Sequence, residues 1–148
     1  MFSKIVIGID GSEASESALR IACDIAKKYG SELHLVHTPQ PKTVAFATGA
    51  AAGYHAVVTM PSDEEVQQAV EKITAAGSKI AKECDQPIAQ TYTARGNPVD
   101  ELIACADQCG ADLIVTGRRG LGNIGSLVLG STSQGVAHNA KCAVLTVA

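Results

Sequence analysis

Gly117, Arg118, Arg119 and Gly120, followed after nine residues by Gly130 and Ser131, are the residues whose types and spacing could do chemistry. That chemistry is the holding of an anion. Glycines let the backbone turn at positive φ and let a ligand approach the main chain, and a helix N-terminus directs unpaired N–H groups outward with about half a positive charge. The stretch follows the strand-like run Ala111 to Thr116 and leads into a helical segment, the usual setting for a phosphate cradle. Ser131 and Thr132 could bind phosphate through N–H and hydroxyl groups, or simply cap the helix. Arg118 and Arg119 could bind or steer phosphate, or be solvated. Asp10, between Ile9 and Gly11 at the end of an apolar run, could accept hydrogen bonds from a ribose or help hold Mg²⁺ beside phosphates, or cap the helix after it.

Other chemistries find weaker support. Gly120, Gly122 and Gly125 match the GxGxxG dinucleotide pattern, but that fingerprint needs an acid about 20 residues downstream and no Asp or Glu follows Asp112. Gly122 and Gly125 then read as loop flexibility. Neither GxxxxGK[ST] nor the GxSxG nucleophile elbow is present. His34 and His37 resemble a metal pair, yet residues three apart on a strand point to opposite faces. Cys105 and Cys109 could share a helical face, but no nearby His completes a zinc set. The five cysteines lack CxxC spacing and read as small buried apolar residues.

The positions of these groups follow from the elements around them. Lys4 to Asp10 reads as a buried parallel strand, Ser12 as the cap of a helix with Ala18, Ile21, Ala22 and Ile25 on its inner face, and Gly30 as its stop. Glu32 to His37 is a second strand. Pro39 and Pro41 break the chain, and Thr43 to Met60, rich in Ala and Gly, reads as a mobile loop, either a lid over a ligand or a spacer. Ser62 and Glu65 form a capping box for a helix to Cys84, with Val66, Val70, Ile73, Gly77, Ile80 and Cys84 along one face. Ile88 to Ala94, Pro98 to Gly110, Ala111 to Thr116, Gly130 to Asn139 and Cys142 to Val147 then alternate strand and helix.

Strands alternating with helices imply a parallel sheet with helices on both faces, and such sheets bind ligands beyond the strands' carboxyl ends, where the winding reverses. An order of 3-2-1-4-5 would set Asp10 beside Gly117. The length of 148 residues and the 46% hydrophobic content suit one domain spanning residues 1–148. A net charge of −3 argues against a broad nucleic-acid or membrane surface. The charge is uneven, because the residues after Asp112 carry +3 and the first 112 carry −6. The start, Met1 to Ile7, lacks the pattern of a signal peptide and points to a cytoplasmic protein.

These segments resemble the universal stress protein family over the whole chain. IVIGIDGS near the start, ARGNPVDELIACADQCGADLIVTGRRG in the middle and GSLVLGSTSQGVAHNAKCAVLTV at the end are all similar to its segments, and Gly117-x-x-Gly120, nine residues, Gly130-Ser131 resembles the motif of its ATP-binding members. The resemblance implies an α/β fold with a single five-stranded parallel sheet in the order 3-2-1-4-5, similar to that of the adenine nucleotide alpha hydrolases. It further implies that Ile9 and Asp10 line the adenosine, with Asp10 on the ribose. Gly117, Arg118, Arg119 and Gly120 would wrap ribose and phosphates, and Gly130, Ser131 and Thr132 would hold the phosphates. Thr38 falls where a backbone contact to adenine is expected, at a position usually aliphatic. The implied ligand is ATP, or AMP or ADP, with Mg²⁺, and the implied partner is a second copy joined through the last strand, Ala143 to Val147. The implied function is a nucleotide-dependent stress-response module with no catalytic residue and at most weak ATP hydrolysis. The alternatives are an adenine-nucleotide enzyme, such as an adenylyltransferase, and a dimeric interaction protein that uses no nucleotide.

Overall fold

The computed structural model describes residues 1–49, 60–121 and 129–148. Strand β1 (Lys4–Gly8) leads into helix α1 (Glu13–Tyr29), β2 (Glu32–His37), α2 (Pro41–Thr48) and α3 (Asp63–Glu83). The chain continues through β3 (Ile88–Thr93), α4 (Pro98–Cys109), β4 (Leu113–Gly117), α5 (Ser131–Asn139) and β5 (Ala143–Val147). All strand pairs are parallel, and their order is β3-β2-β1-β4-β5, the order that the family resemblance implies.

The central strand explains the sheet. Ile5, Val6 and Ile7 are wholly buried because β1 is covered on both faces, so its sequence is continuously apolar rather than alternating. Ile5 and Ile7 join Leu19, Leu35, Ile73 and Ile80 beneath α1 and α3, with Val44 and Ala47 of α2 in the same cluster. Val6 faces the other way, with Val36, Leu102, Ile114 and Val136 beneath α4 and α5.

The helix ends follow their local chemistry. Ser12 caps α1 by accepting from Ser15 N–H at 3.2 Å, and Gly30 ends it at φ 68°, a left-handed turn that glycine adopts without a Cβ clash. Ser62 and Glu65 make the expected reciprocal box at the start of α3, with N–H to oxygen distances of 3.2 and 2.8 Å.

Three expectations need correction. Thr43 to Thr48 are not loop but most of α2, because Pro41 stands in its first turn, where a missing N–H costs nothing. The remainder of that Ala/Gly-rich stretch, residues 50–59, and Gly122 and Gly125 with the rest of 122–128, lie outside the described residues. Ile21 does not face the core; it is exposed, and the inner face of α1 is Ala18, Leu19, Ala22, Cys23 and Ala26. Small residues there let α1 lie close to the sheet. Finally, Gly117 belongs to β4 and pairs with Val147 of β5, so the cradle begins one residue beyond where the apolar run alone would end the strand. Among the described residues no helix is long and apolar enough to cross a membrane.

Candidate functional site

A cleft of about 480 Å³ opens at the carboxyl ends of β1, β2 and β4. It is lined by Ile9, Asp10, Thr38, Gly117, Arg119, Gly120, Gly130, Ser131 and Thr132, which brings together nearly all the residues singled out from the sequence. Arg118 is the exception. Its contribution is through the backbone: its N–H donates to Val147 O at 2.5 Å, and its carbonyl accepts from Gly130 N–H at 2.8 Å. Ser133 Oγ donates to Gly117 O at 2.6 Å and fastens the other side of the same loop. The cradle is therefore closed by hydrogen bonds between the strand that enters it and the helix that leaves it.

Packing explains the three glycines. A Cβ on Gly120 would lie 2.5 Å from Asp10 Oδ2, one on Gly130 would lie 3.1 Å from Arg118 O, and one on Gly117 would lie 2.8 Å from the backbone carbon of Ala14. None of these positions has the positive φ that would demand glycine on torsional grounds. Helix α5 has Gly130 at its N-cap, which makes no side-chain hydrogen bond to the first turn. Its leading N–H groups are available to an anion.

Asp10 is held from the opposite side. Its Oδ1 accepts from Ser12 N–H at 3.0 Å and from Ser12 Oγ at 2.5 Å, while Oδ2 faces Gly120. Asp10 therefore does not cap α1 itself: Ser12 does, Asp10 Oδ1 holds that Ser12, and Oδ2 is left on the side of the cleft. Behind it, the fully buried His37 donates from Nδ1 to Ile9 O across 2.9 Å. Burial pushes the His37 imidazole below its ordinary pKa of 6.5, and the Ile9 carbonyl and the Asp10 charge only partly oppose that. His34 is on the other face of β2, its ring 6.0 Å from that of Tyr92, so the two histidines do not converge. All five cysteines are free, and burial pushes the Cys23 and Cys105 thiols up to about 12.

A lowered imidazole pKa has a defined sign. Neutral His37 contributes stability that is complete above the unfolded value of 6.5 and is lost as pH falls through the lower folded value. Urea midpoints are expected to fall between pH 7 and pH 5, and His37→Asn should flatten that dependence; an equally steep profile in the variant would assign the loss to other groups.

A model of the universal stress protein family matches residues 1–148. The chain belongs to the universal stress protein family. A universal stress protein of Bacillus subtilis is 33% identical, with 99% of each chain aligned. Among solved structures, a universal stress protein in complex with cAMP is 27% identical, with a TM-score of 0.69 and coverage of 99% of this chain and 97% of that one. The universal stress protein from Archaeoglobus fulgidus, at 23% identity, a TM-score of 0.71 and complete coverage of both chains, shares the fold.

The cleft of this universal stress protein also contains residues that sequence reading passed over. Gln40, Lys42 and Thr43 reach it from the start of α2, and Thr116 from the end of β4. Thr43 was hidden by the loop reading of its segment, and Gln40 and Lys42 by the break read at Pro39 and Pro41, although that pair of prolines was a usable sign of a helix start. Gln40 Nε2 donates to Gly96 O at 2.9 Å, which ties α2 to the turn before α4.

Proposed function

We propose that this universal stress protein binds an adenine nucleotide, ATP or its mono- or diphosphate, and acts as a cytoplasmic dimeric module whose state depends on that nucleotide. The observation that carries this reading is the convergence of Asp10 with Gly117, Gly120 and the open N-terminus of α5 on one cleft. The phosphates lie against the N–H groups of Gly130, Ser131 and Thr132, where a negative charge meets the helix dipole. The ribose lies over Asp10, whose Oδ2 accepts its hydroxyl hydrogens. The complex of a 27% identical relative with cAMP supports an adenine nucleotide as the ligand class.

Asp10 is the one carboxylate among the described residues that line the cleft, and its other oxygen is engaged by Ser12. That donor set suits Mg²⁺ bound chiefly by phosphates and water, with Asp10 reaching it directly or through water. When bound, the ion would neutralise phosphate charge. The described lining has no histidine and no second carboxylate to activate a water, which supports nucleotide retention over rapid hydrolysis. β5 is an edge strand, and Ala143 to Val147 offers its free side to a second copy.

Calorimetric titration of the purified protein with ATP in the presence of Mg²⁺ is expected to show one site per chain, and light scattering of the same sample twice the chain mass. Folded protein that neither retains nor binds ATP, AMP or ADP would remove the reading.

A further inference from the structure

Two of the five cysteines meet across two helices, on the side of the sheet away from α4 and α5. Cys23 of α1 is buried, and Cys84, the residue at which α3 ends, is half-buried against the same apolar cluster. The Cys23 thiol donates to Cys84 Sγ, so the sulfurs are neighbours although they are far apart in the chain. The Arg20 guanidinium, one turn before Cys23, reaches the carboxylate of Glu83, the residue before Cys84, at 3.3 Å and marks the same close approach of α1 to the end of α3.

The surroundings assign the two sulfurs different parts. Burial, and after it the neighbouring Cys84, keeps Cys23 protonated, with its pKa pushed up to about 12. The thiolate is the nucleophile, so attack on an oxidant falls to Cys84, which solvent reaches and whose anion accepts the Cys23 hydrogen. Cys84 also stands where the backbone can adjust. Helix α3 stops there, and Asp85 turns the chain away at φ 57°, the one positive φ outside glycine among the described residues. Cys105 and Cys109 are the contrasting case. Their thiols are also hydrogen-bonded, but both are on α4, where residues four apart hold their Cβ atoms about 5–6 Å apart, beyond the roughly 3.5–4.5 Å of a disulfide. That pair cannot bridge without unwinding the helix.

We propose that Cys84 and Cys23 are an oxidation site for hydrogen peroxide, closing to a reversible disulfide between the end of α3 and α1. The Cys84 sulfur takes one peroxide oxygen as the O–O bond breaks, giving a sulfenic acid and one water. The Cys23 sulfur then displaces that hydroxyl, which leaves with the Cys23 proton as a second water. Two thiols have lost two electrons and two protons, and the peroxide has gained them. The bridge encloses β2, α2 and α3, and with them Thr38, Gln40 and Lys42 of the cleft wall. Oxidation therefore fastens that wall to α1.

The test is brief treatment of the folded chain with hydrogen peroxide. Two of the five thiols should be lost, peptide mapping should join the segments that carry Cys23 and Cys84, and the melting temperature should rise by about 5–10 °C. Dithiothreitol should reverse all three changes. Cys84→Ser should keep its remaining thiols and its melting temperature under the same dose, whereas Cys23→Ala should stop at a sulfenic acid on Cys84 that dimedone traps. A folded parent chain that keeps all five thiols would overturn the proposal, as would a bridge mapped to another pair, such as Cys109 with Cys142, or the same loss of two thiols in Cys84→Ser.

Discussion

Gly120→Val combined with Gly130→Val is expected to weaken nucleotide binding by at least about 100-fold and leave the fold intact, since each of the charge-assisted hydrogen bonds in such a cradle is worth about 1.5–3 kcal/mol. The two glycines act at different places. A Cβ on Gly120 meets the Asp10 carboxylate at 2.5 Å, so a valine there displaces the oxygen that would accept from the ribose. A Cβ on Gly130 presses on Arg118 O at 3.1 Å and pushes against the hydrogen bond that closes the loop over the N-terminus of α5. Gly120 is exposed and Gly130 half-buried, and neither belongs to the two packed cores, so circular dichroism and the urea midpoint should change little. Calorimetry against ATP reads the effect. Parent-like affinity in the folded double variant would move the site elsewhere.

Gly117→Ala should have the opposite signature, a loss of global stability of about 1–3 kcal/mol, measured by urea denaturation without ligand. Here the obstacle is main chain. The added carbon would lie 2.8 Å from Ala14 C and 2.9 Å from Ser15 N, in the first turn of α1, which cannot rotate aside as a side-chain tip can. Relief requires α1 to move off β4 or the end of β4 to move off β1. Gly77 provides a comparison, because a Cβ there meets the methyl tips of Leu35 and Ile9 at 2.9 and 3.0 Å. Those tips can shift, so Gly77→Ala should cost less than Gly117→Ala; equal losses would show that the backbone at Ala14 yields as readily as a side chain.

Much of this architecture was legible because its signals are local. The cap at Ser12, the box at Ser62 and Glu65 and the stops at Gly30 and Gly110 depend on neighbours a few residues away, and each has the expected geometry; the run Lys4 to Asp10 also forms its strand, but β1 ends at Gly8 and leaves Ile9 and Asp10 beyond it. Helix α2 was missed because its evidence conflicts: two prolines argue for a break, and alanine with little apolar periodicity argues for nothing in particular. The face of α1 was read from its isoleucines, but close helix–sheet approach selects alanine and cysteine, leaving Ile21 outside. At the candidate site, glycine spacing marked the cradle and strand ends marked Asp10. The unpaired hydroxyls of Thr38 and Thr116 were not legible, since an unpaired hydroxyl is a property of the whole surroundings and no spacing records it.

The divided carboxylate of Asp10 has a thermodynamic consequence. Because Ser12 holds Oδ1 through both its N–H and its hydroxyl, the side chain has one orientation before any ligand arrives. Its rotational entropy is lost during folding and not during binding, so Oδ2 is a preorganised acceptor and an incoming sugar need not order it. The residue that starts helix α1 thereby sets part of the affinity of the cleft, and weakening the cap at Ser12 would be felt as looser binding even though Ser12 itself is not among the residues lining that cleft.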